Sequence, residues 1–188
     1  MKTNTFKEYI QPTVILVAIC LVMTFALAYV NSVTAPIIAG NTVRAADAAR
    51  AELLPAASSF EQYDGDLVEL VPDKVFVEDC YIAPGVGMVV TVKTSSFGGI
   101  LTEMIGIDAD GAITGVKVTN HADTKGLGTK AHDSSHTQQY VGLTELTATS
   151  AKEDPAITPV SGATISSNGV HYGVYAALEQ FKQVGGVK

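Results

Sequence analysis

From Tyr9 to Val43 the chain carries no charged side chain, and Thr13 to Val30 is almost continuously apolar. That run is close to the ~20 residues a helix needs to cross the hydrocarbon of a bilayer. Two designs fit it: an anchored protein, or a precursor whose leader is removed. A secretory leader would carry an apolar core of only about 7–15 residues, with small residues at its cleavage site. Ala26-Leu27-Ala28 imitates such a site but lies inside the run, and Ser32-Val33-Thr34-Ala35 is a weaker candidate. Length and flanks therefore favour an uncleaved signal anchor over residues 13–34. Lys2 and Lys7 precede it, so the positive-inside tendency assigns residues 1–12 to the cytoplasm and the rest to the far side. The span holds no acidic or basic residue, and no ion site is expected within it.

What remains, about 150 residues, is enough for one compact domain with its own core. The whole chain has 12 basic and 19 acidic residues among 188, and the excess of acid lies beyond the span. Such a domain lacks the basic footprint of nucleic-acid binding. Its two cysteines, Cys20 in the span and Cys80 beyond it, are badly placed to pair. There is no CxxC and no iron–sulfur ligand set. If electrons pass through this chain, protein sulfur does not carry them.

Pro36 is expected to break the first helix, after which Ile37 to Leu54 reads as an alanine-rich helix with one moderately apolar face ending before Pro55. Residues 35–66 are thus expected to form a helical stalk or connector. From Leu67 to Leu146 the pattern is β-rich. Val75-Phe76-Val77, Val86–Val92, Ile100–Ile107 and Ile113–Val118 are strand candidates, and Asp108-Ala109-Asp110-Gly111 makes a hairpin turn between the last two. Thr147–Pro159 reads as a connecting loop. Val170, Val174, Ala177, Leu178 and Phe181 then recur at helical spacing, and Gly185-Gly186 ends the run. The expected fold is α+β: a mostly antiparallel sheet over residues 67–188 with a C-terminal helix packed on it.

Three small-residue clusters carry the chemical interest. Ser161-Gly162-Ala163-Thr164 puts hydroxyls on a turn at the start of the last helix, with Ser166 just inside it. Its plain reading is a helix N-cap. Its functional reading is a hydroxyl nucleophile beside unpaired N–H groups that suit a phosphate. Gly98-Gly99, between two strands, is either a turn or a place where backbone approaches a flat ligand. His121 through Gly128, with Thr124, Gly126 and Leu127 inside it, is either a glycine-shaped loop or one wall of a pocket. It does not fit GxGxxG. His132 and His136 are four apart but have neither an HExxH glutamate nor an evident third ligand, so no metal site is expected.

Together these clusters resemble the FMN-binding G-type subunit of the Rnf electron transport complex, an ion-translocating ferredoxin:NAD oxidoreductase. That family is related to the C-type flavin subunit of the sodium-translocating NADH:quinone reductase. Phe97-Gly98-Gly99 and Ile105 through Val116 are similar to its GYGG and GIDxDGxIxGV runs. His121–Gly128 is similar to HxETPGLG, with Asp123 for Glu and Lys125 for Pro, and Gln139-Tyr140-Val141-Gly142 to QFxG. Ser161–Thr164 matches the flavinylation signature. Asp often stands six residues before the modified Thr in that signature; here the position is Thr158, and the nearest acid upstream is Asp154.

The resemblance implies FMN joined through a phosphoester to Thr164 by a separate FAD-dependent flavin transferase. Ser161, Gly162, Ala163 and Ser166 would lie about the phosphate. Gly98, Gly99, Thr124, Gly126, Leu127 and Gly128 would flank the ring, and His121 would bond the flavin or fix its loop. It also implies an electron-transfer role in a domain that faces away from the cytoplasm. The partners would be the other membrane subunits of the complex, a second flavin-bearing one included. A flavoprotein of the quinone-reductase complex, or a non-redox anchored binding domain, would share the same outline.

Overall fold

The computed structural model describes residues 10–187, so the expected cytoplasmic terminus over residues 1–12 lies largely outside the described residues. The chain divides into two units, Met1–Ala46 and Asp47–Lys188. Helix α1 runs unbroken from Gln11 to Leu53, 43 residues, with Pro36 inside it. The break expected at Pro36 does not occur. Proline removes one N–H and crowds the carbonyl four residues back, a local cost of about 3 kcal/mol. The alanine-rich residues after it are strong helix formers and resume the ladder. Over its apolar part α1 is long and apolar enough to cross a membrane.

The second unit is a six-stranded sheet whose strand pairings are all antiparallel. Its strands are β1 (Glu61–Gln62), β2 (Glu69–Val71), β3 (Val75–Ala83), β4 (Gly87–Ser96), β5 (Gly99–Asp108) and β6 (Ile113–Asn120). The order is β1-β3-β4-β5-β6, with β2 also paired to β3. A short helix α2 (Ser134–Thr137) follows the sheet, and helix α3 (Thr164–Val184) packs on β3, β4 and β5. Val170, Val174 and Ala177 of α3 meet Val90, Val92, Ile105 and Ile107 of the sheet in the main core. The opposite face carries Val89 and Met104, covered by Ala49, Leu53 and Leu54 at the end of α1. The Thr114 hydroxyl donates to the Leu53 carbonyl at 2.6 Å and fixes that cover. At mid-sheet, β4 and β5 therefore bury both of their faces.

Strand β3 is longer than the Val75–Val77 expected from pattern. A bulge between Val77 and Asp79 inserts Glu78, which reaches outward to Lys93 at 2.5 Å. The extra residue puts Val75, Val77 and Cys80 in the same core although their spacing is not that of a simple alternation.

Candidate functional site

Strands β4 and β5 form a tight hairpin: Ser96 pairs with Gly99, leaving Phe97 and Gly98 at the tip. The loop after β6 folds back on this tip. A Cβ on Gly98 would fall 2.1 Å from the Ala122 carbonyl oxygen, so only glycine permits the approach. The loop continues through a 3-10 turn (Gly128–Ala131), helix α2 and a second 3-10 turn (Gln138–Tyr140). The 147–159 segment is tied down before α3 begins. Asp154 accepts the N–H groups of Thr147, Ala148 and Ala156, and His171 of α3 lies 2.8 Å from the Ala148 carbonyl. Gln139 clasps the Thr158 backbone, accepting its N–H at 2.8 Å. Asp154 thus faces inward, and Thr158 leaves its position without an acid.

These constraints deliver the Ser161–Thr164 turn to the mouth of a cavity of 330 Å³. Phe97 from the hairpin tip forms one wall, Thr124, Leu127 and Gly128 from the loop a second, and Gly162 to Ser166 the third. Ser161, Gly98, Gly99, Gly126 and His121 are not among the lining residues. Gly98 instead supports the wall from behind, and His121 lies against His132 with ring centroids 4.5 Å apart and planes tilted by 55°. Phe97, Leu127 and Ile165 leave large apolar surfaces open to solvent at the rim.

The first turn of α3 is capped by Ala163, which offers no side-chain bond. The plain N-cap reading of Ser161 or Thr164 therefore does not hold. Ser167 accepts the Val160 N–H at 2.9 Å and so holds the turn from inside. Among the described residues no acceptor meets the N–H groups of Thr164, Ile165 and Ser166. The Thr164 side chain is exposed, and among the described residues its hydroxyl has no hydrogen-bond partner. Unpaired donors at a helix start, on the positive end of its dipole, are suited to a phosphate. A free hydroxyl beside them and an apolar rim around them suit a phosphate ester whose other end is a flat aromatic ring.

Asp123 backs this cavity; the sequence places it within the His121–Gly128 run but does not single it out as a site residue. Its side chain is fully buried. Ser96 donates to Oδ2 at 2.5 Å, the Gly98 N–H donates to Oδ1 at 2.6 Å, and His132 Nε2 lies 3.1 Å from Oδ2. Burial pushes its pKa upward, but the bonds from Ser96, Gly98 and Ser166, together with His132, outweigh that. The net effect holds the carboxyl below the usual carboxylate range. His132 shifts downward, chiefly by burial and then by its neighbour His121. His136 turns away to Gln139 and Tyr140. Among the described residues no group of three or more His, Cys, Asp or Glu could hold a metal ion. Phe97 stands in the Phe97-Gly98-Gly99 run without a role of its own there, and Ile165 is silent in the sequence, since a lone apolar residue in a first helical turn carries no signal.

A helix start with free donors and an apolar-rimmed cavity fits a flavin phosphate. The family model described as FMN-binding domain matches residues 97–179, which include all three walls. The chain is 32% identical over 196 residues to the G-type subunit of the Na(+)-translocating ferredoxin:NAD(+) oxidoreductase complex of Acetobacterium woodii, covering 95% of this chain and 94% of that one. It is 26% identical to the G-type subunit of the proton-translocating ferredoxin:NAD(+) oxidoreductase complex of Clostridium ljungdahlii, over 86% of this chain and 85% of that one. A crystal structure of Shewanella oneidensis NqrC aligns at 17% identity with a TM-score of 0.45, over 71% of this chain and 70% of the other. The chain belongs to the family of G-type subunits of ion-translocating oxidoreductase complexes.

Proposed function

We propose that this chain is the FMN-carrying electron-transfer subunit of a membrane-bound ferredoxin:NAD oxidoreductase of the Rnf type, with FMN esterified to the Thr164 hydroxyl. The observation that supports the linkage is the state of Thr164. Its hydroxyl is exposed, it lines the cavity, and unpaired N–H groups of the first helical turn surround it. FMN, when bound, supplies a centre that takes electrons singly or in pairs and so joins carriers of different type.

The chain's own part is binding and orientation. The N–H groups of Thr164, Ile165 and Ser166 stabilise the remaining charge of the phosphodiester. Gly128 lets its wall pack closely on Asp123 and Ser166 behind it, while Phe97, Leu127 and Ile165 offer apolar contact to the ring and limit water there. A covalent bond suits a domain outside the cytoplasm, where a dissociated cofactor would be lost. The orientation follows from Lys2 and Lys7 ahead of α1. Maturation needs an FAD-dependent flavin transferase, and electron transfer needs the other membrane subunits, one of them bearing a second flavin. Ion transport belongs to those partners, since residues 13–34 hold no charged group. Full-length protein from a host with the transferase is expected to fluoresce as flavin in a denaturing gel. Thr164→Ala protein is expected to be dark, and a fluorescent Thr164→Ala band would end the assignment.

A further inference from the structure

Among the described residues Asp123 is the side chain that ties together all three walls of the cavity. Through Ser96 and the Gly98 N–H it holds the hairpin tip that carries Phe97. It belongs to the loop that carries Thr124, Leu127 and Gly128. Through the Ser166 hydroxyl it holds the first turn of α3. The packing behind the wall is close: a Cβ on Gly128 would lie 2.9 Å from the Asp123 Cβ and 3.0 Å from the Ser166 Oγ. The carboxylate is therefore one layer beneath the cavity surface, out of water.

Three N–H or O–H donors would satisfy a carboxylate without any partner of opposite charge. The group beside it, His132, is itself largely buried, with 7% of its side chain exposed. Its ring meets His121 on one side and Asp123 on the other. The remaining charged or titratable neighbours are Asp133, next in the chain, and His136 one turn on. The hairpin contributes only Ser96 and Gly98 to this cluster, and α3 contributes only Ser166. Near neutral pH the pair thus stands as a carboxylate beside a neutral imidazole, close under a cavity that receives electrons in the function proposed above.

We propose that Asp123 is a positioning residue that fixes the three walls and sets the potential of the bound flavin, and that His132 is the proton acceptor that offsets its charge. The inference rests on FMN occupying this cavity. A fixed negative charge beneath the cavity opposes the arrival of an electron, so it holds the flavin potential down. The electron comes from a reduced carrier of the complex, and solvent supplies one proton to a His132 ring nitrogen. One N–H bond forms on the imidazole as one O–H bond of a solvent hydronium breaks, and no other protein bond changes. Because His132 is shifted down by burial and by His121, this uptake is felt below the ordinary histidine range. On the acid side the potential should therefore climb more steeply with falling pH than the flavin alone requires.

The test is potentiometric titration of the FMN-loaded full chain between pH 5 and pH 9, with visible circular dichroism to report the ring environment. Wild type should show the extra acid-side slope. His132→Gln should lose that slope and keep the alkaline potential. Asp123→Asn preserves the acceptor for the Gly98 N–H, and its potential should shift positive above pH 7 and lose the slope as well. Loss of wall geometry alone would alter the dichroism without abolishing the pH slope, and that result would overturn the proposal. An Asp123→Asn or His132→Gln protein with normal flavin content and a wild-type potential at every pH would overturn it too. Should Asp123→Asn fail to fold or load, His132→Gln decides the matter by itself. Wild-type protein that holds no FMN would instead count against the proposed function.

Discussion

Gly173 on α3 lies directly over Glu103 on β5: a Cβ at Gly173 would fall 1.7 Å from the Glu103 Oε1. The helix can approach the sheet there only because that position has no side chain. Gly173→Ala gains helix propensity of up to about 1 kcal/mol but overpacks the core at a cost of about 1–3 kcal/mol or more. A net loss of stability in denaturant melts is expected. Glu103→Ala in the same background should recover part of it by vacating the space.

Glu103 is fully buried, and among the described residues neither of its oxygens has a hydrogen-bond partner. Burial pushes its pKa well above the usual carboxylate value, so the folded chain keeps a proton that the unfolded chain gives up near pH ~4.3. Its contribution is complete below that pH and is lost as pH rises through the folded pKa. Wild-type stability should therefore fall on the alkaline side. Glu103→Gln cannot ionise, and its melting temperature should vary less between pH 6 and pH 9. An unchanged slope would show that Glu103 finds a partner in solution.

Asp154 behaves in the opposite sense. Burial raises its pKa, but the N–H groups of Ala156, Thr147 and Ala148 outweigh it and the net shift is downward. The stability it contributes is present above the unfolded value, about pH 3.9, and lost as pH falls through the folded pKa. Asp154→Ala leaves several donors unpaired and should cost about 3 kcal/mol in urea melts. Asp154→Asn, which retains an acceptor, should cost less.

Gly98→Ala would drive a methyl group into the Ala122 carbonyl and part the hairpin tip from the loop behind it. A loss of about 1–3 kcal/mol is expected. The bound flavin should also become more accessible to an aqueous quencher, because Phe97 would move off its wall. A destabilised variant with unchanged quenching would assign Gly98 to folding alone.

Different parts of this molecule are legible in the sequence to different degrees. The last helix is plain, since Val170, Val174, Ala177 and Leu178 keep one period and bury one face. The four long strands are visible as β-branched runs, but β3 reads too short because the Glu78 bulge interrupts its alternation. Pro36 misleads in the other direction, its local cost being outweighed by good helix formers after it. At the site, Thr164, Gly162 and Gly128 stand inside recognisable clusters. Asp123 stands in the same cluster as Gly128, but its role stays hidden because its partners Ser96, Gly98 and Ser166 come from separate segments. Gly98 and Gly99 read as ligand-facing glycines, yet Gly98 is spent on contact with Ala122.

The central claim is the ester at Thr164, and mass spectrometry of the peptide containing that residue tests it most directly. Full-length protein should be taken from membranes of a host with the flavin transferase. The peptide is expected to be heavier by one FMN group less the water lost on ester formation, with fragmentation assigning the added mass to Thr164. An unmodified peptide, or the added mass on Ser161 or Ser166, would contradict the account.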